Sequence, residues 1–560
     1  MATKAQEKIA QYEDSKQTRS GFEPTWQELG TFVQPKRSDI LFKRSPGQSQ
    51  TERLFDATAV LANDILAASM QGSLTSNAVR FFGLGVRNLE LDKKHQLRLD
   101  LDACASEMYS AIQQSNFASE SHEMYQDLGS FGTGGVFVEE LPPRPGVPFG
   151  GINHVALHPG EYCIDENAEG YVDKVFRSFR LSARAAIQKW GTRISERVRK
   201  LEDKAPSTMV EFLHVVEPND YGGRVKRFPY SSCYIELEAA SIVNESGFDE
   251  FPFMVPRWSK TSGELYGRGP GHIALADIKT LNKTVELKLR ALALIVNPPI
   301  MVRDEGVIGV PKLNPFGITH VRDMEAIKPM WELGRIDVAN MEEDKYRQQI
   351  RRAFYSDQLQ LQDGPQMTAM EAQIRYELMQ RVLGPTLGRL EVEWLGPYIE
   401  RVFFMMLRRS KPESPFRRVA KTLKAMGRAL DIEYESPLAR AQKLQESVAV
   451  QRFFQIAIPL AQVNPEVLDK VNFDEVIDVH AFGTGVPTRI LNDAETVKQM
   501  REGRKQAQDE MNERAKTQEQ AQNLGAIAPA AKALLDAGNS QVIPSAAGGP
   551  VPTGAMPGGS

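Results

Sequence analysis

Residues 266–301 read YGRGPGHIALADIKTLNKTVELKLRALALIVNPPIM and contain one long apolar run between two breaks. The run predicts a helix over residues 272–296, because large apolar residues recur at helical spacing, at Ile278, Leu281, Val285 and Leu292. The helix is expected to end at Asn297, since Pro298 and Pro299 cannot continue its hydrogen-bond ladder. The run Gly267-Arg-Gly-Pro-Gly271 predicts a flexible hinge before the helix.

The residues after this helix predict a second helix and then a loop. Short strands and turns are expected over 300–334, a helix over 338–355, and a polar loop over 356–367. Thr368 and Glu371 have the spacing of a capping box, in which each side chain satisfies a free amide of the first helical turn. They open a further long helix, and its buried face is predicted at Leu395, Ile399, Val402 and Met406.

The predicted secondary structure of the preceding chain changes from helical to β-rich near residue 130. Residues 1–128 predict helices, and one of them, over 53–72, has Asp56 as its cap and an apolar stripe at Ala57, Leu61, Ile65 and Ala68. Residues 131–258 predict a β-rich module with one inserted helix at 183–190, since clusters of glycine, proline and asparagine separate short β-prone runs. These runs are 135–138, 172–179, 209–216 and 232–237.

The C-terminal part of the chain predicts helices from residue 439 and then a tail. After Arg501 the sequence is rich in glutamine, lysine and glutamate, and the last twenty residues contain nine glycines and prolines. Such a composition buries too little apolar surface to offset the entropy of ordering, which predicts a largely disordered tail. The fold class is therefore α+β and mainly helical, with two to four domains in 560 residues.

Composition and charge exclude some functions. The net charge of −4 argues against tight nucleic-acid binding, which needs a surplus of lysine and arginine to displace counterions. Cys104, Cys163 and Cys233 are far apart and odd in number, which indicates buried, reduced thiols. The N-terminus lacks the apolar run of a secretory signal, and no uncharged apolar run reaches the roughly 18 residues of a membrane span. A soluble protein is expected.

Common catalytic motifs are incomplete in this sequence, because required residues are missing at specific positions. The chain contains no Gly-Lys dipeptide, so it has no phosphate-binding loop of the ATPase type. His122 is followed four residues later by Gln126 instead of a second histidine, so a zinc-protease helix is not formed. No catalytic residue, metal site or cofactor is predicted. The acidic run Glu342–Asp344 keeps a metal-dependent nuclease open as a distant alternative, although such runs usually form solvated helix faces.

Two basic clusters have two open interpretations, phosphate contact and ion pairing. The first cluster is Lys279, Lys283 and Arg290, and the second is Arg347, Arg351 and Arg352. Glu286 lies within the first cluster, and Glu342–Asp344 precede the second, which suits ion pairs within a helix or between subunits.

Several stretches, in order, resemble the portal (head-to-tail connector) proteins of short-tailed bacteriophages. The N-terminal ones are FDATA at 55–59 and LAASMQGSLT at 66–75. The next are YGRGP at 266–270, LADIKTLN at 275–282 and NPPIM at 297–301. The last are DGPQMTAME at 363–371 and YESPLARAQ at 434–442. The resemblance covers residues 15–490. The 363–371 stretch departs from the family's usual Thr-Ala-Thr-Glu because it has Met370 in place of the second threonine, which leaves Thr368 and Glu371 intact.

The resemblance implies a ring-forming fold with wing, stem, clip and crown regions. Laid over the predicted elements, its regions are the helical part of the wing (1–128), the β-rich wing (129–270), the first stem helix (271–297), the clip (298–337), the second stem helix (338–355), the tunnel loop (356–368), the long wing helix (369–411), the helical crown (412–500) and the polar to Gly/Pro-rich tail (501–560). Pro298, Pro299, Thr368 and Glu371 would then mark structural junctions.

The resemblance also implies a structural function without catalysis. Portal proteins form rings, usually dodecamers, at one capsid vertex of the virion, and they are assembled in the host cytoplasm. They conduct double-stranded DNA during genome packaging and ejection, and they dock the terminase large subunit, capsid and scaffolding proteins, and tail adaptor proteins. Another virion structural protein, such as a tail adaptor or tube subunit, is the alternative.

Charge suits such a conduit, because strong phosphate contacts would trap a sliding duplex. A ring of twelve chains would carry a charge of about −48. The tunnel loop contains no basic residue over 357–363, where Gln358, Gln360 and Gln362 can make weak, exchangeable contacts. The candidate channel residues are Lys279, Lys283, Arg290, Arg347, Arg351, Gln358, Gln360 and Gln362.

Overall fold

The computed structural model of the protein divides into two compact units, Met1–Val486 and Pro487–Ser560. It describes residues 3–42, 47–77, 80–85, 95–143, 145, 149–219, 228–296, 300–303, 307–308, 320–322, 327–329, 337–359, 384–425, 431–434, 449–455, 457–459, 471–484, 492 and 494–536.

Helices dominate the first part of the larger unit, as predicted. They are α1 (Lys4–Ser20), α2 (Glu23–Phe32), a 3₁₀ turn (Pro35–Arg37) and α3 (Thr58–Leu74); strand β1 (Phe82–Gly85) follows, and then α4 (His95–Gln113) and α5 (Phe117–Phe131). A hydrogen-bonded capping box at Thr3 and Gln6 opens α1.

Helix α3 differs from its prediction in its start and in its buried face. It begins at Thr58 after the N-cap residue Ala57, and no side chain caps it, so the prediction that Asp56 is the cap is wrong. Asp56 instead accepts the backbone N–H of Thr58 at 2.9 Å. The buried side chains are Ala59, Ala62, Asn63, Leu66, Ala67, Met70 and Leu74. The predicted stripe was wrong, since Leu61 is 62% exposed. Small alanines allow α3 to pack closely on α5, and spacing alone did not reveal this choice of face.

The β-rich module is confirmed, and it contains two helices instead of one. Its elements are β2 (Val136–Glu140), β3 (Ile152–Ala156), β4 (Tyr162–Glu166), β5 (Val172–Ser182), α6 (Ala183–Trp190), α7 (Glu196–Lys204), β6 (Met209–Pro218), β7 (Tyr230–Glu236), β8 (Ser241–Phe248) and β9 (Phe253–Met254). Strands β4 to β8 form an antiparallel meander, and β3, β2 and β9 form a second sheet. The unpredicted helix α7 has a Ser195 cap but few apolar residues, which hid it in the sequence.

Two long helices follow the module, and both were predicted. Helix α8 (Pro270–Val296) precedes strands β10 (Ile300–Val302), β11 (Val307–Ile308), β12 (His320–Val321) and β13 (Ile327–Pro329), and then α9 (Asp337–Ala353) and the short α10 (Ser356–Leu359). Strand β10 pairs with β13, and β11 pairs with β12, both antiparallel. Residues 356–359 are helical where a polar loop was expected. Pro298 and Pro299 lie outside the described residues.

The last part of the larger unit is mainly helical. Residues 384–390 are helical and lead through a π-helical turn (Glu391–Leu395) into α11 (Gly396–Arg409); then come α12 (Pro415–Ala425), strand β14 (Asp431–Tyr434), helical residues 449–455 and 457–459, and α13 (Phe473–Thr484). The predicted buried face is confirmed, with Leu395, Ile399 and Val402 buried and Met406 half-buried. Thr368 and Glu371 lie outside the described residues.

In the described residues of the smaller unit the chain forms one helix, α14 (Ala494–Asp536). The expected disorder of the 501–560 tail therefore does not extend to residues 501–536, and residues 537–560 lie outside the described residues. Alanine, glutamine, glutamate and lysine all have high helix propensity, and Glu510 and Arg514 form an i,i+4 pair. The composition of this segment correctly indicated that it has little apolar surface to bury. The prediction of disorder was nevertheless wrong for residues 501–536, because high helix propensity favours a helix even without a hydrophobic core.

An aromatic core joins the helical and β-rich parts of the larger unit. The rings of Phe117, Trp394 and Tyr398 stack, and the indole N–H of Trp394 donates to the Tyr125 hydroxyl at 3.2 Å. The three cysteines are free and buried, as predicted. Burial raises the pKa of Cys104 to about 12 and that of Cys163 and Cys233 to about 11, so these thiols stay protonated.

Candidate functional site

The glycine-rich run before α8 is a close-packed junction, and the predicted flexible hinge is wrong. A Cβ on Gly269 would lie 2.6 Å from the Leu128 carbonyl oxygen, and one on Gly271 would lie 2.5 Å from that of Ser130. Gly132 ends α5 at a φ of +74°, where its own Cβ would meet the backbone nitrogen of Gly269 at 2.4 Å. These positions require glycine because two backbones touch, so α8 starts from a fixed support.

Neighbouring side chains hold the same junction from the other side. Tyr266 is buried against Trp26 with an edge-to-face ring contact, and its hydroxyl accepts the Ile164 N–H at 3.3 Å. Arg257 is fully buried and donates to Glu166 at 2.9 Å and to Glu393 at 2.8 Å. The sheet, the loop before α8 and the π-helical turn are thereby tied at one guanidinium.

Halfway along α8, one amide side chain binds a segment that lies more than 200 positions earlier. Asn282 Oδ1 accepts the backbone N–H of Phe55 at 2.7 Å, and its Nδ2 donates to the Arg53 carbonyl at 2.9 Å. Both partners belong to the segment before α3, and this explains why that helix starts only at Thr58. Sequence reasoning missed the pairing, although both members lie in motif stretches of the family resemblance.

Ion pairs extend this contact from α8 to α9. Arg347 lies 3.0 Å from Asp56, 3.4 Å from Glu343 and 3.1 Å from Asp344, while Lys288 lies 3.0 Å from Glu343. We call Asp56, Asn282, Lys288, Glu343 and Arg347 the α8–α9 junction. Its cations and carboxylates are matched, so the two helices are locked in register.

The charges and hydrogen bonds within the α8–α9 junction favour the ionised forms of Asp56 and Arg347. Burial opposes ionisation of Asp56, but hydrogen bonds from Thr58 and Arg347 outweigh it and lower its pKa. Burial likewise opposes charge on Arg347, yet Asp56 and Asp344 raise its pKa. Arg347 was predicted as a channel residue, and the structure places it among these carboxylates.

The basic face of α8 is paired with carboxylates. Lys279 lies 2.8 Å from Glu28 of α2, and Lys283 lies 3.0 Å from Glu286, which also binds Arg290. Three exposed cations with two carboxylates leave one net positive charge. Of the two open interpretations, ion pairing is the one that the structure contains, and it leaves little charge free for phosphate.

The other candidate residues lie near the end of α9 or outside the described residues. Arg351 and Arg352 are exposed and make no ion pair within the described part of the chain. Gln358 is exposed on α10. Gln360 and Gln362 are not among the described residues. The acidic run Glu342–Asp344 is divided among Lys345, Lys288 and Arg347.

The far end of α8 is apolar and exposed on several sides. The exposed large side chains are Leu287, Leu289, Leu292, Leu294, Ile295 and Val296. We call these six residues the apolar tip. Leu287 and Leu289 are each at least half exposed and lie about 200° apart around the helix, so a single flat partner covers only one of them.

Over the described ranges, no group of three or more histidine, cysteine, aspartate or glutamate side chains is arranged to hold a metal. Within the same ranges, no helix is both long and apolar enough to cross a membrane. The site is a set of helix junctions, paired charges and an exposed apolar surface.

Comparison with known proteins gives the family. Residues 5–491 match the model of the bacteriophage head to tail connecting protein, and the chain belongs to that family. It is a portal-type connector subunit. The portal protein of Salmonella phage epsilon15 is 29% identical over 526 residues, which cover 90% of this chain and 92% of that protein. The probable portal protein of Bordetella phage BPP-1 is 29% identical over 503 residues, covering 86% and 88%.

One solved structure, the virion of a native gene transfer agent particle, aligns over 80% of this chain and 96% of that chain. Its sequence identity is 12% and its TM-score is 0.30.

Proposed function

We propose that the chain assembles into a closed ring, a dodecamer, at one capsid vertex and forms the conduit for double-stranded DNA during packaging and ejection. Helices α8 and α9 would be the stem, residues 298–337 the clip, and residues 356–368 the tunnel loop. The β-rich module would be the wing, residues 369–411 the long wing helix, and residues 412–500 the crown. The ring would dock the terminase large subunit, tail adaptors, and capsid and scaffolding proteins, with no chemistry of its own.

The apolar tip carries this proposal. Its side chains lie on opposite sides of α8, and large contiguous apolar surfaces usually mark protein contacts. A two-fold dimer would use one patch on each copy, whereas a ring needs two different faces on every subunit. Exposure on two sides of one helix therefore favours a head-to-tail contact with both neighbours.

The paired charges of α8 support the role of conduit. Duplex DNA carries one charge per ~1.7 Å, so rings of unpaired cations would add strong, salt-dependent drag. Glu28 and Glu286 reduce the charge of this face to one net positive charge, which allows contact with passing phosphates without tight binding.

The junctions at the start and in the middle of α8 support a mechanical role for this helix. The glycine contacts fix its start, and the α8–α9 junction fixes its middle, so force applied at the tip is transmitted to the β-rich module and to α3. A channel wall needs such stiffness if a motor is to push DNA through it.

The test is electron microscopy of the purified full-length protein, with its mass measured in parallel. Closed rings with a central hole are expected. The double variant Leu289→Glu/Leu294→Glu, which places charges on the apolar tip, should remain monomeric with an unchanged circular dichroism spectrum. Met209→Glu is the matched control, because Met209 is 57% exposed in the β-rich module. Rings formed by the double variant, or a monomeric wild type at several salt concentrations, would overturn the proposal.

A binding experiment separates a portal from a tail adaptor or tube subunit. Replacement of residues 303–327 by a short Gly-Ser linker should leave rings intact and abolish binding of the terminase large subunit. Rings that never bind the terminase, with or without this segment, would favour the adaptor.

A further inference from the structure

Asp127 of α5 is a fully buried carboxylate whose oxygens both lack a hydrogen-bond donor within the described part of the chain. The nearest cation is Arg37, whose Nε lies 3.5 Å from Asp127 Oδ1. Arg37 is shared with a second carboxylate, because its Nη2 donates to Glu123 at 2.7 Å. A buried carboxylate without its own donor is costly when ionised and much less so when protonated.

Other groups around Asp127 do not supply the missing donor. The amide of Gln34 faces the carboxylate and favours its ionised form, but it makes no hydrogen bond of normal length and angle to either oxygen, and Gln34 Oε1 is itself buried without a partner. Tyr162, which is fully buried, and Glu161 face Arg37 from the β-rich side. His158 accepts the Gly160 N–H at Nδ1, so its proton is on Nε2, which has no acceptor.

Asp64, on the neighbouring helix α3, is bonded to Gln126 and His122 instead. Within the described part of the chain, Asp127 therefore shares one cation, Arg37, with Glu123 of the same helix.

The position of Asp127 in α5 connects these charged groups to the support of α8. The next residue, Leu128, contributes the carbonyl oxygen on which Gly269 packs, and the carbonyl of Ser130 faces Gly271 in the same way. Any movement of the last turn of α5 is thus transmitted to the first turn of α8, since there is no space for either backbone to shift separately.

We propose that Asp127 is a proton-dependent lock between α5 and α8: protonated, it permits the glycine contact, and ionised, it loosens the end of α5 and with it the support of α8. The proton is exchanged with bulk water, and no other group needs to change its charge. This inference is independent of ring formation, because it concerns contacts within one chain.

The direction of the pH dependence follows from burial. Burial raises the pKa of Asp127 to about 7; Arg37 and Gln34 oppose this rise, and Glu123 adds to it. Because the pKa is higher in the folded state than in the unfolded state, the folded state gains from protonation. That stability is complete below the unfolded pKa, declines as pH rises, and is lost once the pH passes the folded pKa.

The experiment measures thermal midpoints of the full chain from pH about 5.5 to pH about 8, across the folded pKa. Asp127→Asn should flatten the decline seen in the wild type and raise the midpoint at the upper end of the range. Asp64→Asn, which removes an exposed carboxylate next to α5, should keep the wild-type slope. Glu123→Gln should move the transition to lower pH, because Arg37 is then free to pair with Asp127.

Hydrogen exchange and infrared spectroscopy locate the effect. At the upper pH, amides of residues 128–134 and 266–274 should exchange faster in the wild type than in Asp127→Asn, with equal rates at the lower pH. The infrared band of a protonated carboxylic acid should disappear as the wild type is titrated. The infrared result and Glu123→Gln decide the matter even if Asp127→Asn does not fold. An unchanged slope in the variants, or no such band, would overturn the proposal.

Discussion

The guanidinium of Arg347 in α9 lies 3.0 Å from the carboxylate of Asp56, which stands 291 positions earlier in the chain. Asp56 also accepts the backbone N–H of Thr58, the first residue of α3, and the preceding segment is bound by Asn282 of α8. One ion pair therefore joins three helices. It places the start of α3 and the middle of both long helices in a single unit, and their stabilities should be coupled.

Removal of this guanidinium should destabilise the larger unit. Arg347→Ala leaves Asp56 and Glu343 buried with fewer partners, and we expect a loss of about 2 kcal/mol, seen as a lower thermal midpoint. Arg290→Ala is the control, because Arg290 is exposed and, in the described part of the chain, pairs within its own helix, where such exposed pairs contribute little. Equal effects of the two variants would show that the α8–α9 junction does not hold the helices together.

The acid stability of the protein should depend on Asp56. Its pKa is lower in the folded state, so its contribution is complete above the unfolded pKa and is lost as pH falls through the folded pKa. Asp56→Asn should lower the thermal midpoint at neutral pH and reduce the further loss below pH about 4. If the thermal midpoint of Asp56→Asn fell with decreasing pH as steeply as that of the wild type, this assignment would be contradicted.

Added volume at the glycine contact should separate a packed junction from a hinge. Gly269→Ala forces a Cβ to within 2.6 Å of the Leu128 carbonyl oxygen and should lower the thermal midpoint strongly. Gly72→Ala in α3 has nothing within 4 Å of its Cβ and should stabilise the helix by up to about 1 kcal/mol. If Gly269→Ala were as well tolerated as Gly72→Ala, the segment would be a hinge after all.

Much of the fold could be predicted because local periodicity and its breaks dominate. Residues 270–296 follow the helical repeat up to the two prolines, and β5, β6 and β7 were recognised as β-prone runs separated by clusters of glycine, proline and asparagine. Two errors have a common cause in tertiary packing. The alanine face of α3 is buried in place of Leu61, and Gly267–Gly271 is rigid because Gly132, far away in sequence, touches it.

The candidate site was predictable only in part. The basic residues of α8 were located by spacing, and the nearby Glu286 indicated the internal pairs, but the contribution of Glu28 needed the position of α2. Asn282 and Asp56 had no recognisable signal as partners, because each is an ordinary polar residue until the fold brings them together. Asp127 gave no signal at all, since burial is not visible in a single carboxylate.

Removal of the shared carboxylate should convert the paired face of α8 into a DNA-binding surface. Glu286→Gln frees Lys283 and Arg290, so binding of duplex DNA at low salt should increase and its salt dependence should steepen. Glu196→Gln, which breaks a similar exposed pair with Lys200 in α7, is the control. Fluorescence anisotropy over a salt series measures both. If binding did not change, the face would lie away from any accessible DNA path.

Deletion of residues 358–363 tests the proposed tunnel loop. Rings should form normally, because the α8–α9 junction and the apolar tip are untouched, while DNA packaging or retention in assembled particles should fall. Ring formation is followed by electron microscopy, and packaging by nuclease-protected DNA. Collapse of the assembly would show that the segment is structural and lies outside the channel constriction.

Strand β1, near the N-terminus, pairs with β14 through Phe82 to Gly85 and Asp431 to Tyr434, so each of these two strands has its only described partner across most of the chain. A nascent polypeptide cannot make this pairing until residue 434 has left the ribosome. Long-range closure of this kind is slow, although its entropic cost grows only weakly with loop length. Truncated translation products therefore lack a complete fold, and in the proposed ring this would keep defective subunits from being incorporated.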